Sequence, residues 1–376
     1  VGFGNKKGVE EPVSIKIENS QKANVYSKEF SINDNASQYK YVYYKTPIYD
    51  TVYKDKIIEW PAPTTYNPRI DLISKSEDIS EYINTVKQEV RFSGNLTFDK
   101  HVYTPTNYTV VFEAGTKINL TNGAAFIINS NIIANGTENN PIKIYSSDKS
   151  ANGFTVLQAN GKSYLKYVTF DNLNTLNYNA WTLTGAVTFY ESDVDFKNCV
   201  FTNNHCEDMI NTIRCDFYLY NCIIENTFSD SHDSDFCTGT LENCIFTNNG
   251  NDAIDFSTSD VIIKKCIIND AEDKGISVGE NTKVKIIDVE ILDVNIGIAS
   301  KDLSHADVDG CIISDATYGF VLLQKKPEFG PASITANNCE LIDVWAESLI
   351  ERNSTLILNG KTFKGKKAKL KTLFYE

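Results

Sequence analysis

The chain has 376 residues, with 49 acidic against 36 basic side chains, a formal net charge of −13 and a pI of about 4.9. That balance argues against nucleic acid or an anionic membrane as partner, because both call for a cationic face, and it suits a protein that binds cations. No apolar run approaches the length of a membrane-spanning helix.

The first residue is Val1 and the only methionine is Met209, so a leader or an upstream region is expected to have been removed. Residues 1–95 are rich in Tyr and Lys, with Pro61, Pro63 and Pro68 in a predicted loop. Asp78 or Ser80 is positioned to cap a short helix running through Val90. This part reads as a strand-rich segment followed by a cap, which would shield an open sheet edge.

Residues 96–360 are governed by a repeat. Val110-Val111-Phe112-Glu113-Ala114-Gly115-Thr116 reads as the start of the first full coil, and the coils run to about Leu358. Cys199, Cys222, Cys244 and Cys266 lie 23, 22 and 22 residues apart, mostly within Asn-Cys pairs. Val289 takes the next such position, then Cys311 and Cys339. A second column, Ile210, His232, Ile254, Ile276, Ile298 and Phe320, keeps a spacing of 22. Each repeat holds short Ile-, Val- and Phe-rich runs separated by Asn, Asp and Gly, a pattern of strands and turns. The predicted fold is all-β: a single right-handed parallel β-helix whose coils stack ~4.8 Å apart with like residues in ladders. The nine cysteines contain no CxxC pair, so a reduced, buried cysteine ladder is expected rather than zinc or disulfides. Residues 361–376 carry six lysines between Lys361 and Lys371 and read as a basic tail or cap.

Three stretches, Gly185–Ser192, Asp273–Glu280 and Gln324–Pro331, together with Ser300-Lys301-Asp302, resemble bacterial β-helix proteins of the pectate-lyase-like superfamily. More narrowly they resemble β-helix modules found beside CotH-type domains on surface proteins. The resemblance covers about residues 100–360. It implies a polysaccharide as partner and a secreted, periplasmic or cell-surface location. The superfamily holds lyases, epimerases, hydrolases and non-catalytic surface proteins, so fold analogy does not select a reaction. There is no Asp-Pro-His run of the alginate-epimerase type and no Gly-His-Gly of the polygalacturonase type. Asn251-Asp252-Ala253-Ile254-Asp255 resembles the polygalacturonase acidic motif only in outline.

With the Ile254 column pointing inward, residues one before, one after and three after it are expected to point outward. Coil by coil this outer strip contains Met209, Asn211 and Ile213, then Ser231, Asp233 and Asp235, then Ala253, Asp255 and Ser257, then Gly275, Ser277 and Gly279, then Gly297, Ala299 and Lys301, and last the apolar Gly319, Val321 and Leu323. Its small residues suggest a shallow floor for an extended chain, with the insertion opened by Lys325 and Lys326 as one expected wall and the insertion from Asn174 to Thr184, with Tyr178 and Trp181, as the other. Asp233 and Asp255 should be neighbours on adjacent coils, where two carboxylates repel unless one is protonated or a cation intervenes. Oxygen ligands favour calcium, so Asp233, Asp235 and Asp255 are candidate metal ligands. Calcium there would bridge to a uronate carboxylate and acidify its C5 proton. Asp255, Lys274 and Lys301 are the candidate catalytic residues. Arg214, Asp252, Trp181 and Lys325 are the candidate substrate contacts, and Arg69 is a second candidate clamp. Simpler readings stand beside these. Asp208, Asp230 and Asp252 suit a turn ladder, Lys274 and Lys301 suit solvated charge, and Trp181 suits a core cap. His232 is a packed core residue in this register and a general base in a rival one. The expected function is a lyase or epimerase acting on an acidic glycan, with a non-catalytic glycan-binding or structural module as the alternative.

Overall fold

The structure, a computed structural model, describes residues 2–5, 8–12, 40–45, 52–56, 73, 75–178, 181–365 and 370–374. Pro61, Pro63, Pro68 and Arg69 lie outside the described residues. The chain divides into two compact units, Val1–Tyr66 and Asn67–Glu376. In the first, Gly8–Pro12, Gly2–Asn5, Tyr41–Lys45 and Val52–Lys56 form an antiparallel sheet in that order.

The second unit is the solenoid, built from three ladders of parallel strands. The first ladder begins at Glu89–Phe92, one coil before Val110, and ends at Thr355–Leu358. It continues through an antiparallel strand, Lys361–Lys364. Asp78 Oδ1 accepts the Ser80 N–H at 2.9 Å, but the N-cap position is Ile79, without a side-chain cap, and only a 3-10 turn, Ser80–Tyr82, follows. Val90 lies in a strand instead of a helix, because Val90 and Phe92 alternate with Glu89 and Arg91 and bury completely in the first coil.

The inward register follows the repeat. Ile210 pairs with His232, His232 with Ile254, Ile254 with Ile276, Ile276 with Ile298, and Ile298 with Phe320, all fully buried. Early coils are filled by phenylalanines: Phe170 and Phe201 stack at 5.2 Å between ring centroids. All nine cysteines are buried free thiols. Asn198, Asn221 and Asn243 hold left-handed turns with φ near 53°, where Asn is favoured over most residues. The Asn221 amide donates to Asn198 Oδ1 at 2.6 Å, so the turn ladder is hydrogen-bonded from coil to coil.

From Ile267–Gly279 onward the second and third ladders fuse into single bent strands, followed by Glu290–Lys301, Ile312–Leu323 and Glu340–Ile350. Gly297 sits at the bend. A Cβ there would come within 2.7 Å of the Gly319 carbonyl and 2.8 Å of the Ile313 side chain. Gly275 and Gly319 are equally confined. These glycines therefore serve a tight corner between coils and do not form the open floor expected from their sequence.

Candidate active site on the third ladder

The third ladder carries the outer strip in the expected register: Asn211, Asp233, Asp255, Ser277, Ala299 and Val321 pair in succession. The residue before each inward anchor does not point out, because Met209, Ser231 and Ala253 are wholly buried at the corner. Positions one and three after the anchor do form the strip. Ile213, Asp233, Asp235, Asp255 and Ser257 are half-exposed on it.

Beneath the strip runs the Asp208, Asp230 and Asp252 column, ending on Lys274. Asp230 Oδ1 accepts the Asp252 N–H at 3.0 Å, and Asp252 Oδ1 accepts the Lys274 N–H at 3.2 Å. Asp230 and Asp252 thus each satisfy a backbone donor of the next coil, which is the turn-ladder role, whereas the Asp230 N–H donates to the Glu207 carbonyl and not to Asp208. Asp252 is buried and receives the Lys274 ammonium at 3.1 Å; Lys274 also pairs with Asp273. Neither Asp252 nor Lys274 faces the open strip. Lys301, also buried, reaches Asp255 Oδ1 at 3.7 Å. Arg214 stands exposed at the turn over the Phe236 ring, 5.0 Å from its centroid.

The carboxyls are strongly perturbed. Burial pushes Asp233 well above the usual range, and the charges of Asp208, Asp235, Asp255 and Asp230 push it further. Burial raises Asp208 to about 7, against a hydrogen bond from Thr184 and with added repulsion from Asp230. Asp230 and Asp235 are raised by burial as well. Burial raises Asp252 while Lys274 opposes it. At the other side of the strip, Gln324–Gly330 folds back over earlier coils: Lys326 binds Glu280 at 2.6 Å, and its N–H donates to Asp302 at 2.7 Å. Lys325 is half-buried, its amine held below the usual range by burial and then by the charge of Lys301. It also feels Asp255 and Glu280. Burial works against ionisation of Glu280, yet hydrogen bonds from Lys326 and Ser257 hold its carboxyl low.

The fold brings Asp233, Asp235, Asp255, Lys301 and Lys325 together, with Arg214 at the rim. Trp181 lies apart, in the hairpin Leu176–Tyr178/Trp181–Leu183, packed on Ala125, Ile127 and Leu157. His232 is a core residue: its Nε2 meets Thr212 Oγ1 at 3.1 Å, Phe217 and Phe256 flank it, and burial lowers it to about 3. The general-base register is therefore not the one adopted. Among the described residues, no three His, Cys, Asp or Glu side chains converge as a metal site. The donor set of Asp233, Asp235 and Asp255 does not close around an ion. Sequence reasoning placed Lys326 in an insertion walling the groove but missed its partner Glu280, and it missed Phe236. Phe236 is 44% exposed at φ 57°, in the left-handed turn that Glu191, Arg214, Thr258, Glu280 and Asp302 share at the same place in their coils.

Residues 210–363 match the family model described as right handed beta helix region. The comparison with curated proteins finds no match. Three solved structures are similar in fold. The A-module of a mannuronan C-5 epimerase from Azotobacter vinelandii is 12% identical over 76% of this chain and 95% of that one, with a TM-score of 0.44. A pectate lyase is 10% identical over 72% and 76%, with a TM-score of 0.38. An alginate lyase from Paenibacillus is 13% identical over 62% and 93%, with a TM-score of 0.33. The chain is a right-handed parallel β-helix, the fold its repeat predicts.

Proposed function

We propose that the strip is the active site of a lyase or epimerase acting on uronate residues of an acidic polysaccharide outside the cytoplasm. One observation carries the reading. The perturbed carboxyl of Asp233, with Asp235 and Asp255 beside it, lies with Lys301 and Lys325 on the outer face of the solenoid. Burying charge on a surface strip costs free energy that a purely structural coil avoids. The two environments act in opposite directions. Burial favours the protonated form of Asp233, which suits it as the acid, and burial with the Lys301 charge favours the neutral amine of Lys325, which suits it as the base.

Lys301, aligned by Asp255, would neutralise the uronate carboxylate and so stabilise charge developing at C5. Lys325 removes the C5 proton. In elimination the electron pair forms the C4–C5 double bond, the C4–O bond breaks, and Asp233 protonates the leaving oxygen. In epimerisation the carbanion is reprotonated from the opposite face and no bond to oxygen breaks. Arg214 and Phe236 at the rim offer a cation and an apolar face to the neighbouring sugar. Growth of near-ultraviolet absorbance on pectate, alginate or glycosaminoglycan tests the lyase branch. Glycan binding with neither absorbance nor C5 exchange would instead identify a non-catalytic binding module.

A further inference from the structure

The outer strip is not open along the solenoid. Upstream, the hairpin Leu176–Tyr178/Trp181–Leu183 covers it: Ile127 and Leu157, both outward on the third ladder, are buried beneath Tyr178, Trp181 and Leu183. Downstream, Ala299, Val321 and Leu323 are buried against Leu370, with Phe374 and Leu349 packed alongside. Leu323 is the coil neighbour of Lys301, so this cover begins at the edge of the site itself.

Between the two covers, the half-exposed outward residues belong to three adjacent coils: Ile213 on the first, Asp233 and Asp235 on the second, and Asp255 and Ser257 on the third. At ~4.8 Å per coil the first and third lie about 10 Å apart. Its floor carries polar atoms without partners among the described residues. Asn211 and Ser277 are 1% and 0% exposed, flank Asp233 and Asp255 in the same column, and have Asn211 Oδ1 and Ser277 Oγ unpaired. Buried unpaired groups of this kind are costly unless a ligand completes them. The Lys326 contacts with Glu280 and Asp302 close the side at the turn.

We infer that the site is a short pocket that takes the end of a glycan chain, about one or two sugars deep, and not the interior of a polymer. The inference rests on the reading of the strip as a uronate-processing site. A polymer lying along the coil axis would have to displace the Trp181 hairpin or the Leu370 segment, whereas a chain end enters between them. Asn211 and Ser277 then mark the two limits of the bound sugars.

The test follows wild-type protein on polymeric pectate, alginate and glycosaminoglycan, recording solution viscosity together with absorbance and C5–deuterium exchange. Absorbance or exchange is expected to rise while viscosity stays nearly constant, with exchanged or unsaturated residues confined to chain ends. A steep viscosity drop at low conversion, or exchange spread through chain interiors, overturns the chain-end inference while leaving the uronate-processing reading standing. Absence of absorbance, exchange and binding on every polymer and oligomer overturns both. The L370A/F374A variant is expected to shift action toward chain interiors by uncovering Val321 and Leu323. Since that variant risks misfolding, the wild-type product pattern decides by itself.

Discussion

Asp208 illustrates how one buried carboxyl links site and stability. It is held at about 7 chiefly by burial, and its oxygen accepts the Asn211 amide at 3.3 Å. A carboxyl raised in the folded state binds its proton more tightly there than in the unfolded chain. Its stabilising contribution is therefore complete below about pH 4 and lost as the pH climbs to about 7. The melting temperature of the wild type should fall across that window, and Asp208→Asn should remove part of the fall. Identical pH profiles for the two proteins would contradict this. At the strip, Asp255→Ala removes the carboxylate that Lys301 meets at 3.7 Å and should lower turnover by ~10²-fold or more. The β-helix should persist by circular dichroism, because Asp255 packs little core. Lys325→Met should reduce turnover by a similar ~10²-fold factor, and a variant retaining full activity would remove Lys325 as base.

Among elements, the ladders were legible in register, whereas the Trp181 and Lys325 insertions were legible as walls of the groove but not in what they touch, for one physical reason. Inward residues such as Ile254 and Ile276 recur because every coil repeats the same packing problem, so a spacing of 22 exposes them. The Asp233–Asp255 contact was legible from the same register. The Trp181 hairpin, the Lys325 loop and the Leu370 segment occur once each, and a repeat says nothing about where an insertion folds. The glycine column shows the opposite hazard: its period was visible, but its cause, close approach of one backbone to the next, was not. Gly297→Ala tests that cause. The added methyl meets Gly319 and Ile313 below normal contact distance, so the variant should lose ~1–3 kcal/mol in urea unfolding. An unchanged midpoint would show that the corner has room to give.

For the whole molecule, the core is one long column of like residues with buried, reduced thiols. Cys215 and Cys237, on adjacent coils, keep their sulfurs 3.8 Å apart, well beyond a bond. A thiol reagent should label almost none of the nine cysteines in the native protein and all nine after denaturation. Fast native labelling would contradict the packed solenoid. Calcium, the cation expected at Asp233, Asp235 and Asp255, is tested by melting curves in calcium and in chelator. A rise in melting temperature with calcium would mean the three carboxyls close around an ion on binding, and superimposable curves would reject a site selective for the folded state. The central claim, that Asp233, Asp255, Lys301 and Lys325 form a uronate-processing centre, concerns a single proton. Its most direct measurement is the C5–H NMR signal of pectate, alginate and glycosaminoglycan incubated with the protein in D2O, since elimination and epimerisation both remove that proton. The account predicts loss of the C5–H signal on one of these glycans with wild type and its retention with Lys325→Met; a C5–H signal that persists on all of them with wild type would contradict it.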